Sequence, residues 1–266
     1  MFIIGERINP AGKPALAFAI REGKTNLIQQ EVLAQERAGA QALDVNVSLY
    51  DIDCVQVMQK VVETIRFVSQ IPLAIDDRDP EIVAVGLKAA GSHAFINSPI
   101  DEESTNTKIF SLAKEFKTEM FFLPLKENRI PGNTEDHIKT SGFILKRLEE
   151  NGIPRKRVAV DAMLLALKQA KKEVIQTLET IKRLKTELGV RTLIGLSNIS
   201  YGLKYREKLN ARFLKLAKGC GLDFVICDPL QREVMAIAGE EEPPFAQSNT
   251  KMDIKKFLEF AETCWA

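Results

Sequence analysis

Histidine and paired cysteine are scarce in this sequence, which argues against the commonest metal sites. The 266 residues include two histidines and four cysteines. His93 and His137 have no partner three or four positions away, and no two cysteines form a C-x-x-C pair. A zinc site built from these residues would need an unusual assembly. We therefore expect no bound metal, and free thiols in a reducing cytosol.

Long apolar runs and blocks of like charge are also missing. No segment approaches the roughly 18 to 20 apolar residues of a membrane helix. Glu6 and Arg7 interrupt the apolar opening too early for a secretory signal. The chain carries 37 basic and 36 acidic residues, with both signs interspersed. This balance gives no reason to expect nucleic acid or a lipid surface as a partner, so we expect a cytoplasmic protein.

Eight short apolar segments, most of them continuous, predict strands that are buried on both faces. They are Phe2–Gly5, Ala42–Val47, Leu73–Asp76, Ala94–Asn97, Glu119–Leu125, Val158–Asp161, Thr192–Ser197 and Asp223–Cys227. Helical spacing is found at Ala15–Ala38, Val55–Val68, Glu81–Ala89, Asn106–Phe116, Glu135–Glu149, Glu173–Leu188, Asn210–Ala217 and Met252–Cys264. The alternation predicts an α/β fold, with residues 1–266 as one (β/α)8 TIM-barrel domain. A doubly wound open sheet is the alternative, but no G-x-G-x-x-G follows the first strand.

Polar side chains terminate most of the predicted strands. In a TIM barrel the catalytic groups come from the C-terminal strand ends and the loops after them. Seven strand ends carry Asp, Asn, Glu or Ser: Glu6 and Asn9, Asp44 and Asn46, Asp76 and Asp77, Asn97 and Ser98, Asp161, Ser197 and Asn198, and Asp228. One such residue is usually a helix cap, as we expect for Asp79. Asp44, Asn46, Asn97 and Asp161 instead lie within or flush with apolar segments, where polar groups need partners.

The chemistry of these residues limits the class of ligand that the site can bind. The set is rich in carboxylates and carboxamides and lacks a histidine base or a cysteine nucleophile. Carboxylates accept hydrogen bonds, and amides both donate and accept. Such a set suits a flat heterocycle with a mixed N–H, N and C=O edge, of which a reduced pterin is one. A divalent cation is the competing interpretation, because clustered acids bind hard cations.

Several segments together resemble the methyltetrahydrofolate:corrinoid protein methyltransferases, which are pterin-binding TIM barrels. The resemblance is carried by four stretches in order: Ile3-Ile4-Gly5-Glu6-Arg7-Ile8-Asn9, Ala42-Leu43-Asp44-Val45-Asn46-Val47, Ile96-Asn97-Ser98 and Leu193-Ile194-Gly195-Leu196-Ser197-Asn198-Ile199-Ser200. The co-occurrence of the first and last stretches, at strands one and seven, is the strongest signal. The resemblance spans the whole chain.

The resemblance implies roles for individual residues. Asp76, Asn97 and Asp161 match ligands of the pterin ring. Asn198 matches a catalytic Asn beside N5, where the methyl group is carried. Gly195 and Ser197 line the same wall, and Arg206 falls near the substrate. The supporting rim comprises Glu6, Asn9, Asp44 and Asn46.

The resemblance also implies a reaction and its partners. A methyl group moves between N5 of tetrahydrofolate, or methyltetrahydrofolate, and cobalamin carried by a separate corrinoid protein that docks transiently. The enzyme is expected to be a homodimer. Ala162, Tyr201, Asp77 and Arg78 depart from the usual pattern. These departures fit enzymes that demethylate methoxylated aromatics or methylated amines, in which the methylcorrinoid donates to tetrahydrofolate.

Three alternatives stay open at this stage. The acetogenic enzymes run the opposite reaction, toward a corrinoid iron–sulfur protein. Dihydropteroate synthase uses a related barrel but needs a Lys or Arg after strand seven to hold its second substrate. This sequence has Ser197 and Asn198 there. A non-catalytic pterin-binding barrel is the third. Candidates for the proton at N5 are Ser197, Asp161 and Asp44.

Overall fold

The computed structural model describes residues 1–101, 106–169, 171–240 and 251–265, which contain one closed barrel of eight strands in sequence order. Every neighbouring pair is parallel, including β1 with β8. The strands are β1 Phe2–Ile8, β2 Ala42–Val45, β3 Leu73–Asp76, β4 Ala94–Asp101, β5 Glu119–Leu125, β6 Val158–Asp161, β7 Arg191–Gly195 and β8 Phe224–Cys227. The predicted (β/α)8 fold is therefore confirmed.

Helices surround the barrel. They are α1 Pro14–Arg21, α2 Thr25–Arg37, α3 Cys54–Val68, α4 Pro80–Ala90, α5 Asn106–Glu115, α6 Thr134–Glu150, α7 Lys171–Leu188, α8 Arg206–Gly219, α9 Arg232–Gly239 and α10 Lys251–Glu262. The side chain of Asp79 caps α4 as predicted, by accepting from the Glu81 N–H at 2.8 Å. Over the described ranges, no helix combines the length and the apolar character needed to cross a membrane.

One helical prediction is wrong, and one helix has no prediction. The segment Ala15–Ala38 is not one helix, because Gly23 adopts φ +61° and the Lys24 N–H turns back to the Ala19 carbonyl at 2.8 Å. This left-handed glycine ends α1. Helix α9 was not predicted, since its eight residues span scarcely more than two turns and leave a short periodic pattern.

The barrel interior is apolar at its N-terminal end. Successive residues of a strand face opposite sides, so every second residue lines the interior. One such layer packs as a single buried cluster: Ile4, Ala42, Ala74, Phe121, Ala159, Leu193 and Phe224. Phe121 stacks on Phe95 with ring centroids 5.0 Å apart, and it packs against Phe224 at 5.0 Å. These aromatic rings form an apolar floor across the barrel.

A layer of polar side chains lies directly above that floor. Two positions further along five strands stand Glu6, Asp44, Asp76, Asn97 and Asp161, which we call the polar layer. The same period of two that buries Ile4, Ala42, Ala74, Phe95 and Ala159 therefore points these residues into the barrel mouth. This explains why acids lie flush with apolar segments in the sequence.

A bulge in β1 aims the first member of the polar layer. The pairing of β1 with β2 slips between Gly5 and Ile8. The Arg7 N–H donates instead to the Gln35 side-chain oxygen at 2.9 Å. Gln35 is fully buried on α2, and a Cβ atom at Gly5 would overlap its Oε1. Glycine is thus required for the bulge, which sets the direction of Glu6.

We predict that Gly5→Ala destabilises the protein by about 1 to 3 kcal/mol, because Gln35 must move and the bulge must deform. Urea unfolding measures the change. Gly132→Ala is the matched control, since nothing lies within 4 Å of a Cβ atom placed there. Equal stability of the two variants would contradict the bulge argument.

Candidate active site

Three predicted ring ligands end neighbouring strands at the mouth. Asp76 pairs in register with Asn97 across β3 and β4. Asp161 ends β6, and the charge of Asp76 contributes to raising its pKa. The structure thus brings Asp76, Asn97 and Asp161 to one end of the barrel, as predicted from strand position.

Two asparagine–aspartate hydrogen bonds tie this layer together. The Asn97 amide donates to Asp44 Oδ1 at 2.9 Å. The Asn46 amide donates to Asp76 Oδ2 at 3.1 Å and to its backbone carbonyl at 3.1 Å. In both contacts the asparagine nitrogen is the donor and an aspartate oxygen accepts. Asp44 therefore fixes the orientation of the Asn97 amide, whose carbonyl oxygen is left to accept from another donor.

Burial raises the pKa values of the carboxyl groups in the polar layer. Burial raises the pKa of Asp76 to about 6, assisted by Asp77 and opposed by the Asn46 hydrogen bond. Burial raises the pKa of Asp161 to about 7, with Asp76 adding to the effect. The pKa of Asp44 is also raised, by burial first and then by Asp76. Such carboxyl groups gain free energy when a ligand supplies N–H donors.

His137 holds Asp161 from behind, a role that the sequence did not indicate. Its Nε2 lies 2.9 Å from the Asp161 carbonyl oxygen and its Nδ1 lies 3.3 Å from Ser141 Oγ. Burial lowers the pKa of His137 to about 4, so the ring is neutral and Nε2–H donates. The Met163 N–H also donates to Asp161 Oδ1 at 2.9 Å. A lone histidine on a helix carries no signal of this contact in the sequence.

The loop after β7 carries the other predicted residues. Ser197 Oγ donates to Glu6 Oε1 at 2.6 Å, which joins β7 to β1 across the mouth. Gly195 lacks a side chain where a Cβ atom would lie 3.2 Å from Asn198 Nδ2, so it leaves room for that amide. Arg206 donates to Ser200 Oγ at 3.1 Å and to the Ser197 carbonyl at 3.2 Å. Arg206 therefore fastens this loop in addition to its predicted place near the substrate.

Asn198 does not act as a helix cap. It ends the 3₁₀ turn Leu196–Asn198, and the N-cap position of the next helix, α8, is occupied by Tyr205. Its backbone carbonyl accepts from the Tyr201 N–H at 3.1 Å. Its side chain is exposed and makes no hydrogen bond to the described residues. The amide is therefore available to a ligand in the mouth.

The β1 side of the mouth is a charged network. Arg7 donates to Glu31 and, at 2.9 Å, to Asp228 Oδ2. Lys13, which the sequence did not single out, donates to the Glu6 carbonyl at 2.9 Å. Asn9 Oδ1 accepts from the Ala11 N–H at 3.0 Å and so forms a local turn at the rim. These contacts hold the end of β1, which carries Glu6, and the loop that follows it.

Comparison with known proteins decides the family. The sequence pattern of the pterin binding enzymes matches residues 5–228, which include all eight strands of the barrel from Gly5 onward. The chain belongs to the pterin-binding enzyme family. The match confirms the pterin-binding type of barrel that the sequence predicted, and it covers every residue of the polar layer.

Characterised relatives share about a quarter of the sequence of this pterin-binding chain. It is 25% identical over 240 residues to methylcorrinoid:tetrahydrofolate methyltransferase of Eubacterium limosum, covering 88% of each chain. It is 26% identical over 239 residues to methionine synthase of Mycobacterium leprae, covering 85% of this chain and 20% of that protein. The chain thus spans one fifth of the methionine synthase.

Solved structures share the fold at lower identity. Dihydropteroate synthase of Yersinia pestis, in a sulfonamide drug complex, aligns with a TM-score of 0.70 and 13% identity, covering 89% of this chain and 91% of that one. The Xanthomonas albilineans enzyme gives 0.68 and 17%, covering 89% and 90%. At these identities the likeness establishes the barrel alone.

The divalent-cation alternative gains no support from the geometry. Within the ranges that the structure describes, no group of three or more His, Cys, Asp or Glu side chains is arranged to hold a metal ion. Asp44 and Asp76 instead each accept from an asparagine amide. Amide partners of this kind orient hydrogen-bonding groups for an organic ligand.

We predict that Asp161→Asn stabilises the ligand-free protein at pH 8. The pKa of Asp161 rises from its ordinary 3.8 to about 7 on folding, so the folded state binds this proton more tightly. The resulting stability is complete below pH 3.8 and is lost as the pH rises toward 7. Removing the charge should restore roughly 1 to 4 kcal/mol at pH 8. Urea unfolding should show no gain at pH 4, and a loss of stability at pH 8 would contradict the assignment.

Proposed function

We propose that this protein is a methyltransferase that moves a methyl group between N5 of tetrahydrofolate and the cobalt of a corrinoid held by a separate protein. The observation that carries the proposal is the polar layer, in which Asp76, Asn97 and Asp161 offer hydrogen-bond acceptors at the mouth. The amino-pyrimidine edge of a reduced pterin supplies matching N–H donors. Similarity to the Eubacterium limosum enzyme over 88% of both chains supports the reaction.

The physiological direction that we propose is from methylcorrinoid to tetrahydrofolate, in a demethylation pathway. The support is the activity of that relative, a methylcorrinoid:tetrahydrofolate methyltransferase. The opposite, acetogenic direction would use the same site, because it forms and breaks the same two bonds to the methyl carbon in reverse. We further propose that the chain is one cytoplasmic domain, acts as a homodimer and meets its corrinoid partner transiently.

Dihydropteroate synthase chemistry fits the site less well. That reaction needs a cation after strand seven to hold its second substrate. The mouth end of β7 is Gly195, which is followed by Ser197 and Asn198. Arg191 lies at the other end of the strand, where it pairs with Glu119 at 2.8 Å. The cation beside the β7 loop, Arg206, is bound to Ser200 and to the Ser197 carbonyl.

The chain supplies position and hydrogen bonds to the methyl transfer. Asp76, Asn97 and Asp161 hold the pterin ring, which fixes N5 relative to the incoming corrinoid. Asn198 contacts N5 through an amide that donates in one orientation and accepts in the other. A hydrogen bond there strengthens as charge develops on N5, so it stabilises the transition state more than the bound substrate. The amide has no titratable proton, so the proton itself must move through another group.

The proposal predicts that purified protein transfers methyl groups between methylcobalamin and tetrahydrofolate in a single-turnover assay. Asn198→Ala should lower that rate roughly tenfold to a thousandfold, as for other lost transition-state donors. Its melting temperature should stay near that of the wild type, because the N-cap position of α8 is occupied by Tyr205 and not by Asn198. Absorbance of the cobalamin reports the reaction in either direction.

The matched control is Asn133→Ala, which removes a true cap: Asn133 Oδ1 accepts from the Asp136 N–H at 2.9 Å at the start of α6. This variant should lose about 1 kcal/mol of stability and keep its turnover. Wild-type turnover in Asn198→Ala would refute the catalytic role. Absence of methyl transfer in the wild type, with tetrahydrofolate bound, would refute the proposed reaction.

A further inference from the structure

Glu6 is a half-buried acid on β1, and within the described part of the chain no cation pairs with its carboxylate. The β1 bulge turns it toward β7, where Ser197 Oγ lies 2.6 Å from Oε1. Among the described residues, Ser197 is its one hydrogen-bond donor. The neighbouring Lys13 donates to the backbone carbonyls of Glu6 and Asn9 instead of the carboxylate. Glu6 Oε2 therefore keeps its capacity to take a proton.

The contact with Ser197 connects this acid to the reacting nitrogen. Ser197 precedes Asn198, and both belong to the same 3₁₀ turn. A separation of 2.6 Å is typical of a hydroxyl that donates to a carboxylate. Because its proton points to Glu6, the Ser197 oxygen presents lone pairs to the mouth, where it can accept from an N–H group.

The three other acids of the polar layer already have partners. Asp76 accepts from the Asn46 amide and is assigned to the pterin edge. Asp44 is 3% exposed and accepts from Asn97. Asp161 accepts from the Met163 N–H and is assigned to the pterin edge. A serine hydroxyl alone is too weak a base to retain a proton near neutral pH, so Ser197 needs a carboxylate behind it.

We infer that Glu6, acting through Ser197, is the proton-relay residue of methyl transfer; this rests on the proposed function. Toward tetrahydrofolate, the N5 lone pair bonds to the methyl carbon, and the cobalt–carbon bond breaks with its electron pair left on the corrinoid. The N5 proton passes to Ser197 Oγ as the Ser197 proton passes to the Glu6 carboxylate. Glu6 later returns the proton to solvent. In the reverse direction the Glu6 carboxylic acid supplies the proton to N5.

The surroundings keep Glu6 able to change its protonation state. Burial raises its pKa above the ordinary 4.5, the Ser197 hydrogen bond and Lys13 lower it, Asp228 raises it, and Arg206 lowers it. The charged groups that face it come from four other segments: Lys13 before α1, Asp44 on β2, Arg206 at the start of α8 and Asp228 after β8. Transfer toward tetrahydrofolate needs the carboxylate, so its rate should fall as pH drops through this pKa. The reverse rate should fall as pH rises through it.

The test compares Glu6→Gln with the wild type, using saturating tetrahydrofolate and free methylcobalamin in single turnover from pH 5 to 8.5. The amide oxygen still accepts from Ser197 but cannot take its proton. We expect a rate loss of about a hundredfold or more, a flattened pH profile, and tetrahydrofolate affinity by calorimetry within about threefold of the wild type. Glu6→Asp should recover part of the rate and the pH dependence. Glu63→Gln, on the exposed face of α3, is the control for removing a carboxylate.

Two results would overturn the inference. A wild-type rate and pH profile in Glu6→Gln would show that the carboxyl proton is not used. A lower rate with an unchanged pH profile, together with lost tetrahydrofolate binding, would show a purely structural role. Failure of the proposed function is distinguishable, because the wild type itself would then bind tetrahydrofolate and transfer no methyl group. That result would also overturn the role of Glu6 as proton relay.

Discussion

The site depends on one constraint, which is that carboxyl groups stand above an aromatic floor without enough partners of their own. Phe121, stacked on Phe95, closes the barrel below them. Water therefore reaches Asp76 and Asp161 from the mouth alone, and burial is the first cause of their raised pKa values. Apolar surroundings make unpaired polar groups costly. A ligand with N–H donors removes this cost when it binds, and the removal contributes to the free energy of binding.

The neighbouring asparagines determine what the site can recognise. Asp44 turns the Asn97 amide, and Asn46 stabilises the charged form of Asp76. The bulge at Gly5 orients Glu6, and the hydrogen bond from Arg206 to the Ser197 carbonyl holds Ser197 in the loop after β7. Supports of this kind hold the reacting groups in place before substrate arrives, which is the condition for electrostatic preorganisation.

Much of this arrangement was predictable from the sequence, because the position of a polar residue at the end of an apolar segment is local information. It predicted Asp76, Asn97 and Asp161 at one end of the barrel, and the eightfold alternation of segments predicted the barrel itself. Contacts between distant segments were not predictable. His137 on α6 contacts the Asp161 carbonyl, and Gln35 on α2 contacts β1. Lys13 donates to the backbone carbonyl of Glu6. Their residue types are common on helices and loops, so no pattern marks them. The break at Gly23 was missed because one glycine inside a helical pattern is often tolerated.

The most direct test of the account is the pH dependence of tetrahydrofolate binding, measured by calorimetry from pH 5 to 8.5. If the pterin edge donates to ionised Asp76 and Asp161, affinity should rise with pH through about 6 to 7, where these carboxyl groups ionise. Protons should be released on binding near pH 6. Asp161→Asn should bind more weakly at pH 8 and lose most of this dependence. Affinity that is independent of pH, or that falls as pH rises, would contradict the central claim.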